Sequence, residues 1–599
     1  MKKTGSLGHW IVLLLLLAAV CGWPDTFCLV RDGAPMARIQ QNPNPGPLEF
    51  RAAEELQKYL QAVSGAWIDR TTFPGAYYRA NEDAPETVEI VLGTLDNSRR
   101  LLPPDVRDFL AGTEYDDAYC LATTVDADGW RSLFIVGKTD AGVLYGTYAF
   151  LEDYVGCRFF HALPGGEHVP KRRTLELPDI HEFRQPWVKY RMVSDGNAAS
   201  LAPCSMAEFN VYLAKRAFSS MTYQFCYNDR NRLEQDEGAL SNRINEGGGH
   251  AMFEQAVPQS LFETHPEYFP MRDGRRQMGT NLWQRCLANP DVQERVFEFA
   301  LRFLAYPGTS FNIMFADSNN GWCECDACRQ LGIGDNGEFQ VTNRAHRFIT
   351  KMADRILAVK PDAKLLFFSY WDYEAIPDVA DLHYDSRLVN VFCPFVRRCV
   401  AHSLNAPCND FSRQEFAAWA RRTPSMGLFE YYCHTGSPYA PLESTVAEDM
   451  AVYRQATGGR LEYWIDDCTG KPMVIHANWQ LYYVLGKLMW NPELKTEAIL
   501  ADAYAHYYGP AAPIMAEYHD LRRKVWAADP EKTGHSCCFS PNRLGKCLDA
   551  VPGSREKLAE LLDRALDAAK DEPVLRQRIG YDQDFLKRFW LQDAEEPQS

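Results

Sequence analysis
The sequence predicts an α/β chain: a (β/α)8 TIM barrel, preceded by a small α/β domain and followed by a helical C-terminal region. Three observations predict it. Over residues 187–491 a short apolar run, a loop and an amphipathic helix recur, at the spacing of strand–helix units in such a barrel. The stretch ahead of it also alternates strands and helices, and leaves through a segment from Gly165 to Pro186 rich in proline, glycine and charge. Beyond Pro492 the periodicity is helical only. A chain of 599 residues has room for two or three such units.

Taken in order, the N-terminus comes first. Lys2 and Lys3 precede an apolar run from Ile11 to Val20, closed by the small residues Ala18, Ala19, Cys21 and Gly22. This is the layout of a secretory signal peptide over residues 1–22, and the run is too short for a good membrane span. Val20 departs from the small residue that a lipid-attachment site prefers before its cysteine, so simple cleavage is favoured over an anchor at Cys21. The expected location is exported, periplasmic or extracellular. The α/β N-terminal domain is expected over residues 28–182, with a helix from Phe50 to Ser64, strands at 88–92 and 132–136, and a helix at 143–154. Barrel strands are expected at 188–193, 218–225, 311–316, 364–370, 388–393, 426–432 and 460–465. A weak third strand near 243–246 completes the count of eight. Helices between them include 343–360 and 444–455. The helical C-terminal region spans 492–599, with a charged amphipathic stretch at 554–570.

Composition narrows the partners. A formal net charge of -16 argues against nucleic acid, which needs a basic face. The chain holds 14 Trp, 29 Tyr and 32 Phe, which serve large cores or stack on the apolar faces of sugar rings. Eighteen cysteines in an exported protein point to disulfides. Cys323, Cys325 and Cys328 lie close enough to hold structural zinc with a fourth ligand such as Cys286 or a histidine. In an oxidising compartment a disulfide among them is favoured. Cys399, His402 and Cys408 form a looser group, best read as a disulfide-bearing loop, and Cys537, Cys538 and Cys547 as staples of the C-terminal helices. No cofactor is required.

In a barrel, functional residues collect at the C-terminal ends of strands. The fourth strand ends at Asp317, the fifth runs into Trp371, Asp372 and Glu374, the seventh carries Glu430, Tyr431 and Tyr432, and the eighth ends with Trp464, Asp466 and Asp467. Gly248 and Gly249 precede His250, where bare backbone approaches a ligand and an imidazole bonds a hydroxyl. Tyr223 and Gln224 end the second strand. Trp371, Tyr431, Tyr432 and Trp464 are candidate stacking walls. Each has a plainer reading: a loop-capping acid for Asp317, a buried partner of Arg or Tyr for Glu430, core for the aromatics.

Several segments carry a resemblance. Residues 142–160, GVLYGTYAFLEDYVGCRFF, with Val169-Pro170 after them, look like the non-catalytic N-terminal domain shared by bacterial α-glucuronidases and β-hexosaminidases. Downstream, Gly247–His250, the run from His265 to Phe269, the run from Cys286 to Pro290, Asp317 with Cys323-x-Cys325-x-x-Cys328, Lys487-Leu488-Met489-Trp490 and Tyr507-Tyr508-Gly509 resemble the bacterial group called domain of unknown function 4838. The resemblance covers about residues 45–515. It implies an α/β domain followed by a glycosidase-like barrel, with a carbohydrate as partner.

Glycoside hydrolysis needs two carboxyl groups across the scissile bond. Many barrel glycosidases carry them after the fourth and seventh strands, which singles out Asp317 and Glu430 as the catalytic pair. Asp372 and Glu374 stand in reserve, since an α-glucuronidase-like layout favours carboxylates near the fifth and sixth strands. The chain departs from the β-hexosaminidase Asp-Glu pair, because Ser318 follows Asp317. The expectation is therefore an exported glycosidase acting on a poly- or oligosaccharide. The alternative is a glycan-binding protein on a degenerate barrel. A zinc hydrolase acting on other bonds has no HExxH-like ligand set to support it.

Overall fold
The computed structural model describes residues 27–72, 87–194, 204–219, 245–279, 283–305, 309–317, 321–395, 398–432, 439–467, 473–528 and 543–591. They form two compact units. One runs to Cys157 and regains Val169–Arg184; the other holds Arg158–His168 and the chain from Gln185 onward. The boundary is thus interleaved, where the sequence suggested one exit near residue 182.

The first unit is built on a six-stranded mixed sheet in the order His181–Arg184, Tyr119–Val125, Arg131–Gly137, Val88–Thr94, Ala37–Gln41, Arg70–Thr72. The last four strands are mutually parallel, and the first two pair antiparallel. The helix Pro47–Ser64 starts with proline at its first turn and stops at Gly65, whose φ of 80° gives the left-handed C-terminal cap. It buries Ala52, Ala53, Leu56, Tyr59, Leu60 and Val63 on one side.

The second unit carries the parallel sheet. Its described strands are β1 (Val188–Ser194), β2 (Asn245–Gly248), β3 (Thr309–Asn312), β4 (Lys364–Tyr370), β5 (Leu388–Cys393), β6 (Met426–Glu430) and β7 (Leu461–Asp467). They lie in the order β1-β7-β6-β5-β4-β3-β2, every pair parallel. The expected second strand at 218–225 falls almost wholly outside the described residues. The described sheet is a curled half-barrel, and one bond proves the curl. Lys364 on β4 donates from Nζ to the Tyr190 hydroxyl on β1 at 2.9 Å. In a flat sheet those strands would lie about 19 Å apart, four strand spacings.

Helices follow the strands: α1 (Met206–Lys215), α2 (Pro290–Phe303), α3 (Val341–Val359), α4 (Asp410–Arg422), α5 (Glu443–Ala456) and α6 (Trp479–Trp490). Five more, α7 (Thr496–Tyr508), α8 (Ala512–Ala527), α9 (Arg543–Ala550), α10 (Ser554–Ala568) and α11 (Pro573–Phe589), make up the C-terminal region. Buried polar bonds tie it in. The Asp582 carboxylate accepts from the Tyr439 and Tyr508 hydroxyls at 2.6 and 2.7 Å. No helix among the described residues is long and apolar enough to cross a membrane.

Candidate active site
Strand alternation decides which side chains face the helices and which face the hollow of the sheet. Phe367 packs on Trp419 of α4, Phe392 on Phe416 of α4, and Trp464 on Tyr453 of α5, so these residues point outward. Phe368 and Phe429, on strands two apart, bring their rings to 5.6 Å, which only the concave side allows. Parity then puts Tyr370, Cys393, Tyr431 and Asp467 on the concave side at the C-terminal rim. Tyr370 stands opposite Cys393 in the ladder, and the Cys393 thiol lies 3.2 Å from the Tyr431 hydroxyl. Burial raises the pKa of both Cys393 and Tyr431, and the Asp467 charge acts on each.

Asp317 sits at the same rim, three residues past the backbone of Met314. It is exposed and accepts a hydrogen bond from the Tyr370 hydroxyl at 3.0 Å. His250 completes the group. Its ring lies 5.8 Å from that of Tyr370, and its Nδ1 donates to the Phe315 carbonyl at 2.9 Å. Burial holds the His250 pKa below its usual value, although Asp317 pulls the other way. The ring is therefore neutral near pH 7 with its proton on Nδ1, which leaves Nε2 as an acceptor. Burial also raises Tyr370, so its phenol stays a donor to Asp317.

The glycines before His250 have a packing reason. Gly248 has a φ of 90°, and a Cβ there would stand 2.2 Å from the Asn312 carbonyl oxygen. Both Gly248 and Gly249 are buried, so β2 uses its bare backbone to close on β3. Trp371, at the exit of β4, has a φ of 51°, an uncommon and strained conformation for an aromatic residue. Its ring lies 5.8 Å from that of Phe395, which in turn is 4.9 Å from Tyr431. These aromatics line the rim beside Tyr370.

Glu430 does not join Asp317. It shares parity with Leu428, is fully buried, and turns to the helix layer. There it accepts from the Tyr453 hydroxyl of α5 and lies 3.5 Å from the Arg398 guanidinium, which also binds Asp449. Burial raises the pKa of both Glu430 and Asp449. Asp466, opposite Glu430 in the ladder, is equally enclosed: it accepts from the Tyr432 amide and the Tyr482 hydroxyl, both at 2.9 Å. Burial pushes its pKa up to about 8. Trp464 and Tyr432 stack outside the sheet with these acids and form no wall of the hollow. The acid expected after the seventh strand is thus a core acid, because one residue's difference in parity reverses the face.

Of the other expected residues, Asp372 is half-buried and accepts from the Trp322 indole at 3.0 Å, with its pKa raised by burial. Glu374 is buried over α4, where its carbonyl accepts from Trp419 at 2.7 Å. Tyr223 lies outside the described residues. Sequence reasoning passed over Tyr370, Cys393 and Phe395, and did not separate Asp466, which faces the helices, from Asp467, which faces the hollow. Cys286, Cys323, Cys325 and Cys328 are free thiols, where a disulfide was expected among the last three. Cys286, Cys323, Cys325 and Cys328 converge, with Cys286 Sγ 3.8 Å from Cys325 Sγ and 3.6 Å from Cys328 Sγ.

Solved structures of glycoside hydrolases share this fold of a curled parallel sheet flanked by helices. A family GH115 4-O-methyl-α-glucuronidase with specificity for decorated arabinogalactans matches with a TM-score of 0.55 at 13% identity, over 94% of this chain and 73% of that one. A GH89 enzyme from Clostridium perfringens, in complex with its substrate GlcNAc-α-1,4-galactose, matches with a TM-score of 0.50 at 11% identity, over 90% of this chain and 61% of that one. At such identities the likeness is one of fold. No curated protein sequence matches. The chain belongs to the family described as Domain of unknown function (DUF4838), whose model matches residues 163–520.

Proposed function
We propose that the chain is an exported glycoside hydrolase that cleaves a poly- or oligosaccharide with paired carboxyl groups, Asp317 and Asp467, at the rim of a closed (β/α)8 barrel. The observation that carries this reading is the group at the rim: an exposed Asp317 bonded by Tyr370 and flanked by His250, on a fold like that of glycoside hydrolases. Asp467 is chosen over Glu430 because it shares the concave side with Tyr370 and Tyr431, whereas Glu430 has no surface through which to meet a substrate. His250 would accept a sugar hydroxyl, and Trp371 would present a ring face to a pyranose. Export rests on the signal-peptide layout of residues 1–22.

The test is sugar release from a broad glycan panel by the mature protein, with Asp317→Asn and Asp467→Asn alongside. Each variant should lose about 10²–10⁴-fold in turnover, the usual worth of a positioned acid or base. Release that survives both substitutions would move the site elsewhere. Binding without release by the unaltered protein would turn the reading to a glycan-binding protein.

A further inference from the structure
We propose that Cys286, Cys323, Cys325 and Cys328 bind one zinc ion as four thiolates, and that this ion fastens the loop following Asp317. The four sulfurs all lie within 4.8 Å of one another. A tetrahedral Zn(Cys)4 centre, with bonds of about 2.3 Å, puts its sulfurs about 3.8 Å apart. The separations of 3.8 and 3.6 Å from Cys286 match that spacing and exceed a disulfide bond of about 2.05 Å.

The surroundings suit charged sulfur. The Met271 amide donates to Cys323 Sγ at 3.3 Å, and Arg276 donates to the same atom at 3.5 Å, both from a two-stranded hairpin, Met271–Arg272 with Arg275–Arg276. Arg344 donates to the Cys323 carbonyl at 2.9 Å. A divalent ion with four thiolates carries a net charge of about -2, and two guanidinium groups stand beside it to offset that charge. Cys286, Cys323 and Cys328 are buried and Cys325 half-buried, a closed structural site with no open position for a substrate.

The consequence reaches the rim. Cys286 precedes α2, and the other three cysteines follow Asp317, with Cys323 and Cys325 in the connection and Cys328 in the short helix Asp326–Gln330 that it enters. One ion ties the two segments. Between Asp317 and Cys323 comes Trp322, whose indole donates to Asp372 and whose ring receives the Arg344 guanidinium at 4.7 Å. Zinc is thus a positioning element for the loop and touches no substrate.

The experiment begins with the unaltered protein, purified without chelator, by elemental analysis and thiol counting. One zinc per chain is expected, exchangeable for cobalt with sulfur-to-metal charge transfer and the visible bands of a tetrahedral site. The paired substitution Cys286→Ser with Cys328→Ser should cut retained metal at least about tenfold. No metal, no uptake of zinc or cobalt by the reduced protein, or disulfides mapped among these four cysteines would overturn the proposal. So would full metal content in the double variant, which would shift the ion to the Cys399, His402 and Cys408 group. The metal count and cobalt spectrum of the unaltered protein do not depend on whether the variant folds, nor on sugar release.

Discussion

Replacing Glu430 should cost stability and leave chemistry intact, and the two effects can be sized separately. Glu430 accepts from the Tyr453 hydroxyl through Oε1, while Oε2 has no hydrogen-bond partner among the described residues. Arg398 is held chiefly by Asp449 and by the carbonyls of Cys399 and His402. Glu430→Gln keeps the acceptor for Tyr453 and the side-chain shape, but places an amide NH2 where no acceptor waits. An unsatisfied buried donor costs about 1–3 kcal/mol. Glu430→Ala also opens a cavity and strips Arg398 of one of two facing carboxylates, for about 3–5 kcal/mol. Against a typical total of about 5–15 kcal/mol, both shifts are measurable as a lower urea midpoint at unchanged slope.

The paired assay is sugar release per folded molecule, well below the unfolding transition. Both variants should stay within about threefold of the unaltered protein, against the much larger loss expected at Asp317. A Glu430→Gln protein with an unshifted midpoint and no sugar release would refute the assignment by parity and restore Glu430 to the catalytic pair.

Other expectations follow from the same geometry. Asp466 has its pKa raised by burial from 3.8 to about 8, so the folded state holds a proton that the unfolded chain has lost. Its contribution is full below the unfolded value and is lost as pH climbs toward the folded one, at up to about 1.4 kcal/mol per pH unit. Asp466→Asn should therefore flatten the fall of the urea midpoint between about pH 4 and about pH 8, and an unchanged slope would count against it. Gly248→Ala, with its Cβ 2.2 Å from the Asn312 carbonyl oxygen and a φ of 90°, should lower stability by about 1–3 kcal/mol in a thermal melt. Tyr370→Phe should retain fold and binding while lowering turnover by about tenfold, through loss of one hydrogen bond to Asp317.

Most strands of the parallel sheet were legible because buried parallel strands are continuous apolar runs, and the helices between them carry a one-sided pattern. That same property hid the site. In 364–370 and 388–393 both faces are apolar, since one meets helices and the other the hollow, so hydrophobicity gives no parity. Parity at the strand ends had to come from contacts between distant residues, such as Phe367 with Trp419 and Phe368 with Phe429. A sequence reading that picks acids by distance from a strand end has no means of choosing Asp467 over Asp466. Gly248 was legible as a special position, but its cause, the close approach of β3, is a tertiary fact.

The cysteines reverse the lesson. The close spacing of 323, 325 and 328 was visible, yet composition and expected compartment favoured a disulfide. What separates the two readings is the fourth partner. Cys286 lies far back in the chain and is brought up by the run 284–286, where Gln284 also bonds the Ala316 backbone in both directions at 2.9 and 3.0 Å. The segment that supplies the fourth sulfur therefore also grips the residue before Asp317. The cysteine cluster proposed to hold zinc and the carboxylate at the rim are thus gripped by one short stretch of chain. Loosening the cluster should then be felt at Asp317 without any residue of the rim being changed.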